Sequence, residues 1–431
     1  MDKITTKGLP STSGLLAAMK MGQSFSLLSE LRVTKMNYRT GFHAWSSQDQ
    51  GFANWRLNGC RLQADQLTLA PEMAVGQEDR QTLEGGLPYY NGAAYFVGEA
   101  DSPLVSLPFP AAALIPSWNA DTPAGSWIEV LMQVADAEPD APWYSLGVWA
   151  AQDKAANPPA TRPGARVWPH SVNDQADERA TVDTDTLRFH APCASFKLRV
   201  RLFSVDGRVL PTLRRIAVTW SDPKPRVEDL AMAGQGGRPE LWNQVLKGVP
   251  RCSQMVFADQ GKAWCSPTAV AMVLGYWRGD GPCGDLVPHT AAGVYDHVFK
   301  GHGNWAFNVA WAGSLGFEAQ VVRFASLAEL EPWLKAQVPV VLSVSWNNQE
   351  GRPLANAPVD KSSGHLTLLV GFDAEGNPVM NEPAAPNPAA VRRTYDRKEL
   401  ETRWLAASGG AVYLIYPRGH AVPKRSSHRR M

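Results

Sequence analysis

The sequence predicts a two-domain protein, with an all-β sandwich or jelly roll first and an α+β domain second. Three observations predict it. The chain has 431 residues, too many for one ordinary core. From about residue 51 to 221, short alternating or β-branched runs are separated by Gly, Pro, Asn and Asp clusters, the texture of many short strands. After about residue 250, helical periodicity comes first and strands follow, an α+β order.

The elements follow in chain order. Residues 1–48 read as irregular, with one short helix around Ser26–Val33. The β-domain is placed at 49–221. Its clearest strands are Ser126–Val134, Tyr144–Trp149, Phe196–Phe203 and Leu213–Trp220, which show period-2 alternation. Residues 222–248, with Pro223, Pro225, Gly234, Gly236, Gly237 and Pro239, read as a linker. The second domain is placed at 249–418. It opens with a helix after Cys265, where Val270, Val273, Leu274 and Trp277 fall on one face. A helix around Asn304–Leu315 and another at Ser326–Gln337 follow. The latter has Leu327, Leu330 and Leu334 on one face and Pro332 inside it. Strands are expected at Val338–Val344 and His365–Phe372. The turn Asp373–Asn377 then leads into Pro378–Asn381, a hairpin, and the last strand is Ala411–Tyr416. Residues 419–431 form a basic tail.

Composition narrows the function classes. The chain is 44% hydrophobic and 19% charged, with a formal net charge of +1, which argues against nucleic acid or an acidic membrane as the main partner. No run of about 18 apolar residues predicts a transmembrane helix. Leu15–Met19, ended by Lys20, is short and poorly flanked for a secretion signal, so the sequence reads as cytoplasmic. Five cysteines make no disulfide scaffold. Cys252 with Cys283, and Cys60 with Cys193, is one pairing among those the sequence leaves open. The absence of a C-x-x-C pair argues against structural zinc. His289, His297 and His302, near Asp285 and Asp296, read as a polar loop segment, and no metal or cofactor is expected. Sixteen tryptophans divide evenly about Asp222. Those before it could stack on sugars, giving the β-domain a glycan or cell-surface ligand, although most tryptophans in such domains are core.

The residues that carry chemistry lie in the second domain. Trp264-Cys265-Ser266-Pro267-Thr268 places a thiol at the mouth of an apolar helix, with Pro267 in the first turn. The helix dipole there favours thiolate, the nucleophilic form. Such a thiol needs a base, an orienting group and an oxyanion donor. His365 opens a buried strand and supplies the base. Its hairpin partner ends in Asn381-Glu382-Pro383, so either Asn381 or Glu382 could fix the imidazole. Gln254 and Gln260, upstream, each carry an amide able to join the Cys265 N–H at an oxyanion.

The order cysteine, histidine, then Asn or acid is papain-like. Residues 249–417 resemble, more closely, the stand-alone bacterial C39-like peptidases. The matching blocks are Val249-Pro250 with Ser253-Gln254, Ala263 to Thr268, Gly303-Asn304-Trp305, Gly364-His365 with Val370-Gly371-Phe372, and Asn381 to Ala384. The resemblance implies a papain-like cysteine peptidase acting on peptide or protein substrates, with export as one route for the chain. It implies Cys265 as nucleophile, His365 as general base and acid, and Gln254 as oxyanion donor, with Gln260 as competitor. The sequence departs at the third member. The family usually shows Asn-Asp-Pro, and Glu382 stands at the Asp position. That departure keeps a rival open, an inactive papain-like binding protein.

Overall fold

A computed structural model of the chain describes residues 37–49, 51–134, 141–152, 166–258, 260–279 and 283–424. The helix expected around Ser26–Val33 and the end of the basic tail lie outside the described residues. The first part is mostly β. Its main strands are β1 (Thr40–Ser46), β2 (Ala94–Asp101), β3 (Val105–Asp121), β4 (Ser126–Val134), β5 (Trp143–Trp149), β6 (Thr186–Ser204) and β7 (Thr212–Ser221). All the pairings are antiparallel.

Two long strands organise this region. The first half of β6 pairs with β3, and its second half lies between β2 and β4. The last part of β3 pairs instead with β7. Register shifts around Cys193 let β6 change partners. The result is one barrel- or sandwich-like hydrogen-bonded sheet. Trp118, Trp127, Trp149 and Trp220 are buried in it, which makes them core rather than ligand platforms.

Strand β1 begins at Thr40, inside the segment read as irregular, and pairs with β7 along its whole length. Its local pattern is weak because its strand character comes from the partner, not from propensity. Residues 222–248 contain a helix, α1 (Val227–Ala231), and a short strand, β8 (Gln244–Val245). Trp242 donates to the buried Glu331 carboxylate, which also pairs with Arg397 at 2.8 Å. Proline and glycine reported irregular backbone here, not the lack of tertiary contacts.

The α+β part contains helices α2 (Cys265–Arg278), α3 (Cys283–Val294), α4 (Trp305–Ser314), α5 (Glu331–Lys335) and α6 (Arg397–Ser408). Its strands are β9 (Phe317–Arg323), β10 (Val340–Asn347), β11 (Lys361–Phe372), β12 (Pro378–Asn381), β13 (Arg392–Thr394) and β14 (Ala411–Pro417). The sheet order is β9-β14-β10-β11-β12-β13, with β8 added to β11. The helix expected at Ser326–Gln337 is split at Leu330 into a 3-10 turn and α5. Pro332 sits in the first turn of α5, where it needs no N–H.

The two parts meet along the edge strand β9. Its outward N–H groups at Ala319, Val321 and Arg323 donate to Asn119, Ser117 and Thr219 of β3 and β7, at 3.0–3.1 Å. Polar side chains thus occupy an edge that would otherwise be a pairing hazard. Gly313 of α4 is needed here, since a Cβ would come within 2.7 Å of the Asn119 side chain.

One cysteine pair is a disulfide, Cys252–Cys283. Cys60 and Cys193, the other half of the pairing considered from sequence, are both buried and not disulfide-bonded. Among the described residues no helix is long and apolar enough to cross a membrane.

Candidate active site

Cys265 opens α2, capped by Trp264, so its backbone N–H belongs to the unsatisfied first turn. The helix is anchored beneath by Ser266, whose hydroxyl meets that of Tyr413 at 3.0 Å in the core. The thiol hydrogen-bonds the His365 side chain and accepts from the Leu366 N–H. Both residues are on β11, against which α2 packs.

His365 is 4% exposed and Glu382 is fully buried. They meet at 2.5 Å, His365 Nε2 to Glu382 Oε1. An ionised carboxylate only accepts, so Nε2 carries the proton, and Nδ1 is left for the thiol. Glu382 Oε1 also accepts from the Ala384 N–H, and Oε2 accepts from the Tyr395 hydroxyl at 3.0 Å. Trp346 sets its ring edge-on to His365 with centroids 5.2 Å apart, which keeps water from one side of the pair.

The electrostatics follow from this cage. Burial pushes the Cys265 thiol up, but the hydrogen bond and charge of His365 outweigh it and the pKa is lowered. Burial pulls His365 down, yet the Glu382 charge and the bonds to Cys265 and Glu382 raise it to about 10. Burial pushes Glu382 up, and the imidazolium with the Ala384 and Tyr395 donors hold it low. The arrangement favours thiolate, imidazolium and carboxylate together.

Asn381 does not join this group. Its amide donates to the Pro250 carbonyl at 2.8 Å and accepts from Arg392 Nε at 2.6 Å. The reason is strand parity. Phe372 faces Pro378 and Gly371 faces Val379, but Leu369 faces Met380 and Leu368 faces Asn381. Val370 is an extra residue on β11, and its carbonyl accepts from the Leu246 N–H. An unbroken register would have set Asn381 on the His365 face. The one-residue bulge turns it away and brings Glu382 there instead.

The glutamines also separate. Gln254 is buried, and Gln260 is exposed. Gln254 Nε2 donates to the Lys262 carbonyl at 3.1 Å, and its backbone N–H donates to Pro383. Neighbouring Ser253 donates to Ala385. This segment is therefore clamped between the Glu382 turn and the approach to Cys265. Gly261 permits the clamp, because a Cβ there would sit 2.0 Å from the Gln254 carbonyl oxygen. Cys252, two residues earlier, ties the same segment to α3. Sequence reasoning missed Tyr395 and Trp346, whose positions follow from sheet order and carry no local signal.

The comparisons bear on both halves of the chain. Residues 246–412 match the Peptidase_C39 like family, and residues 41–221 match the Peptidase C39 N-terminal domain. The second half, with a cysteine on a helix facing a histidine on a strand, is a C39-like peptidase domain. The β region before it is a C39 peptidase N-terminal domain. A crystal structure of a candidate C39-like peptidase from Bacillus anthracis is 18% identical, covering 40% of this chain and 97% of its own, with a TM-score of 0.28. A family two carbohydrate esterase from Cellvibrio japonicus is 9% identical, covering 43% of this chain and 35% of its own, with a TM-score of 0.17. Neither superposition is close enough to define a fold. No curated protein matches the chain in sequence.

Proposed function

We propose that the protein is a papain-like cysteine peptidase with Cys265 as nucleophile, His365 as general base and acid, and Glu382 as the group that orients His365. One observation carries this reading. A thiol at a helix N-terminus is hydrogen-bonded to a histidine that is itself 2.5 Å from a buried carboxylate. The departure at Glu382 fits activity rather than its loss, because the longer side chain reaches His365 and is held by two further donors.

The reaction runs in two steps. The Cys265 thiolate adds to the carbonyl carbon of a peptide or amide. The oxyanion is held by the Cys265 N–H and by Gln254, whose amide has a second N–H beyond the one given to Lys262. The C–N bond breaks as His365 gives its proton to the departing amine, leaving a thioester. Water then attacks the thioester, passes a proton to His365 and releases the acid and the thiolate. Gln260, exposed, is set aside as oxyanion donor. The β-domain, starting at residue 40 and ending at 221, is fastened by 222–248 to the peptidase domain at 249–418. The Cys252–Cys283 disulfide fits an oxidising compartment.

The test is alkylation by iodoacetamide at mildly acidic pH, with hydrolysis of an unfolded polypeptide measured alongside. Cys265 reacts first, while buried Cys60, pushed up to about 12 chiefly by burial, stays silent. Hydrolysis by Cys265→Ala at the wild-type rate would overturn the proposal.

A further inference from the structure

A row of half-buried rings starts beside the nucleophile and crosses to the other domain. Trp264, next to Cys265, meets His302 at 5.8 Å between centroids, and His302 meets Tyr295 at 5.1 Å. Tyr295 meets His297 at 4.9 Å, and His297 meets Trp168 of the β-domain at 4.5 Å. The exposed Arg166 lies 3.5 Å over the Trp168 ring. All five rings are partly open to solvent. Phe299, 48% exposed, adds apolar surface against Gly301, in the loop that carries His302.

The row is preformed. Buried Asp296 accepts from the backbone of Ser171 in the β-domain and from Val298 and Phe299 in its own loop. Its other oxygen accepts from Asn304, the cap of α4. The His297 N–H donates to Pro169. Both domains therefore fix the loop that carries three of the five rings. Burial holds His297 and His302 down to about 4, so they are neutral, apolar-tolerant rings near pH 7.

We propose that this row is the binding track for the polypeptide substrate, and that the β-domain contributes to it through Trp168 and Arg166. The occupant is an extended, unfolded segment bearing aromatic or proline side chains. Four ring-to-ring steps of about 5 Å accommodate up to about six residues of extended chain at ~3.4 Å each. Neutral aromatic faces pack on such side chains, and Arg166 is the charged group at the far end. The peptide occupant, rather than a sugar, is argued from continuity with Cys265. This inference rests on the peptidase reading only for the identity of the occupant.

The test measures binding apart from turnover. Fluorescein-labelled, unfolded casein is titrated by anisotropy against the full chain carrying Cys265→Ala. Adding Trp168→Ala, or the surface change Arg166→Ala, is expected to weaken binding about tenfold for the first and severalfold for the second. Wild-type affinity in both variants overturns the proposal. So does full competition by soluble oligosaccharides, which makes the row a glycan surface. Loss of binding by Trp168→Ala together with a lowered melting temperature, and no effect of Arg166→Ala, assigns Trp168 a structural role and also overturns it. If wild type neither hydrolyses casein nor shows a reactive Cys265, the peptidase reading fails while the binding result still decides the track.

Discussion

Glu382→Gln is the substitution that most directly examines the site. It keeps the shape of the side chain. The amide oxygen can still accept from Ala384 and from His365, and its NH2 can donate to the Tyr395 oxygen, so the fold is expected to persist. What it removes is the charge 2.5 Å from His365 Nε2. That charge is the largest of the effects raising His365 to about 10, against a burial that lowers it. Without it the imidazolium pKa falls, and removing one partner of a buried ion pair costs about 3–4 kcal/mol. The ratio of the thiolate–imidazolium pair to the neutral thiol–imidazole pair should drop by about 10²–10³, and kcat/KM near pH 7 should fall with it. The pH profile gives a sharper reading. In the wild type the ion pair spans the range from the lowered Cys265 pKa up to about 10. Below it the thiolate is protonated, and above it the proton for the leaving amine is lost. In Glu382→Gln the upper limit falls toward neutrality. The acid limb of iodoacetamide labelling moves to higher pH, because the thiolate has lost its cationic partner. Wild-type labelling and hydrolysis profiles in Glu382→Gln would refute the reasoning.

Other expected outcomes follow from the same geometry. Asn381→Ala takes the partner from the half-buried Pro250 carbonyl and from Arg392 and should cost about 1–3 kcal/mol in urea unfolding, while the pH profile of Cys265 labelling stays in place; a displaced profile would return Asn381 to the site. Tyr395→Phe removes a donor 3.0 Å from Glu382 Oε2 and so lets the Glu382 pKa rise. It should lower kcat/KM about fivefold, for about 1 kcal/mol, and more at pH 5 than at pH 8. Cys252→Ser with Cys283→Ser opens a loop spanning 31 residues and should cost about 3–4 kcal/mol in thermal or urea unfolding. Because Cys252 fastens the Gln254 segment, kcat should fall more than KM changes.

Much of the second domain is legible in residue order alone. The helix after Cys265 announces itself by Pro267 and by apolar residues at helical spacing, since a buried helix face needs that period. The hairpin from His365 to Asn381 is written in its turn and its apolar strands. Strand β9 and helices α3 and α6 were missed, because their patterns are short or mixed and their packing partners lie far away in sequence. The contacts of the segment between the domains were not legible for a related reason. Composition reports backbone irregularity, while Trp242, Glu331 and Arg397 form their contact only in three dimensions.

The sequence by itself determined that a cysteine at a helix mouth is followed by a histidine on a strand, which begins at Lys361 rather than at His365, and then by Asn381-Glu382. It also determined that a β region precedes them. Tertiary structure alone decided which of the two side chains meets His365. A strand alternates faces with every residue, so a single extra residue inverts the choice. That residue is Val370, and its displaced carbonyl is taken by Leu246, next to β8 in the segment between the domains. Local pattern carries hydrophobic period and turn chemistry. It does not carry a bulge whose partner lies more than a hundred residues away.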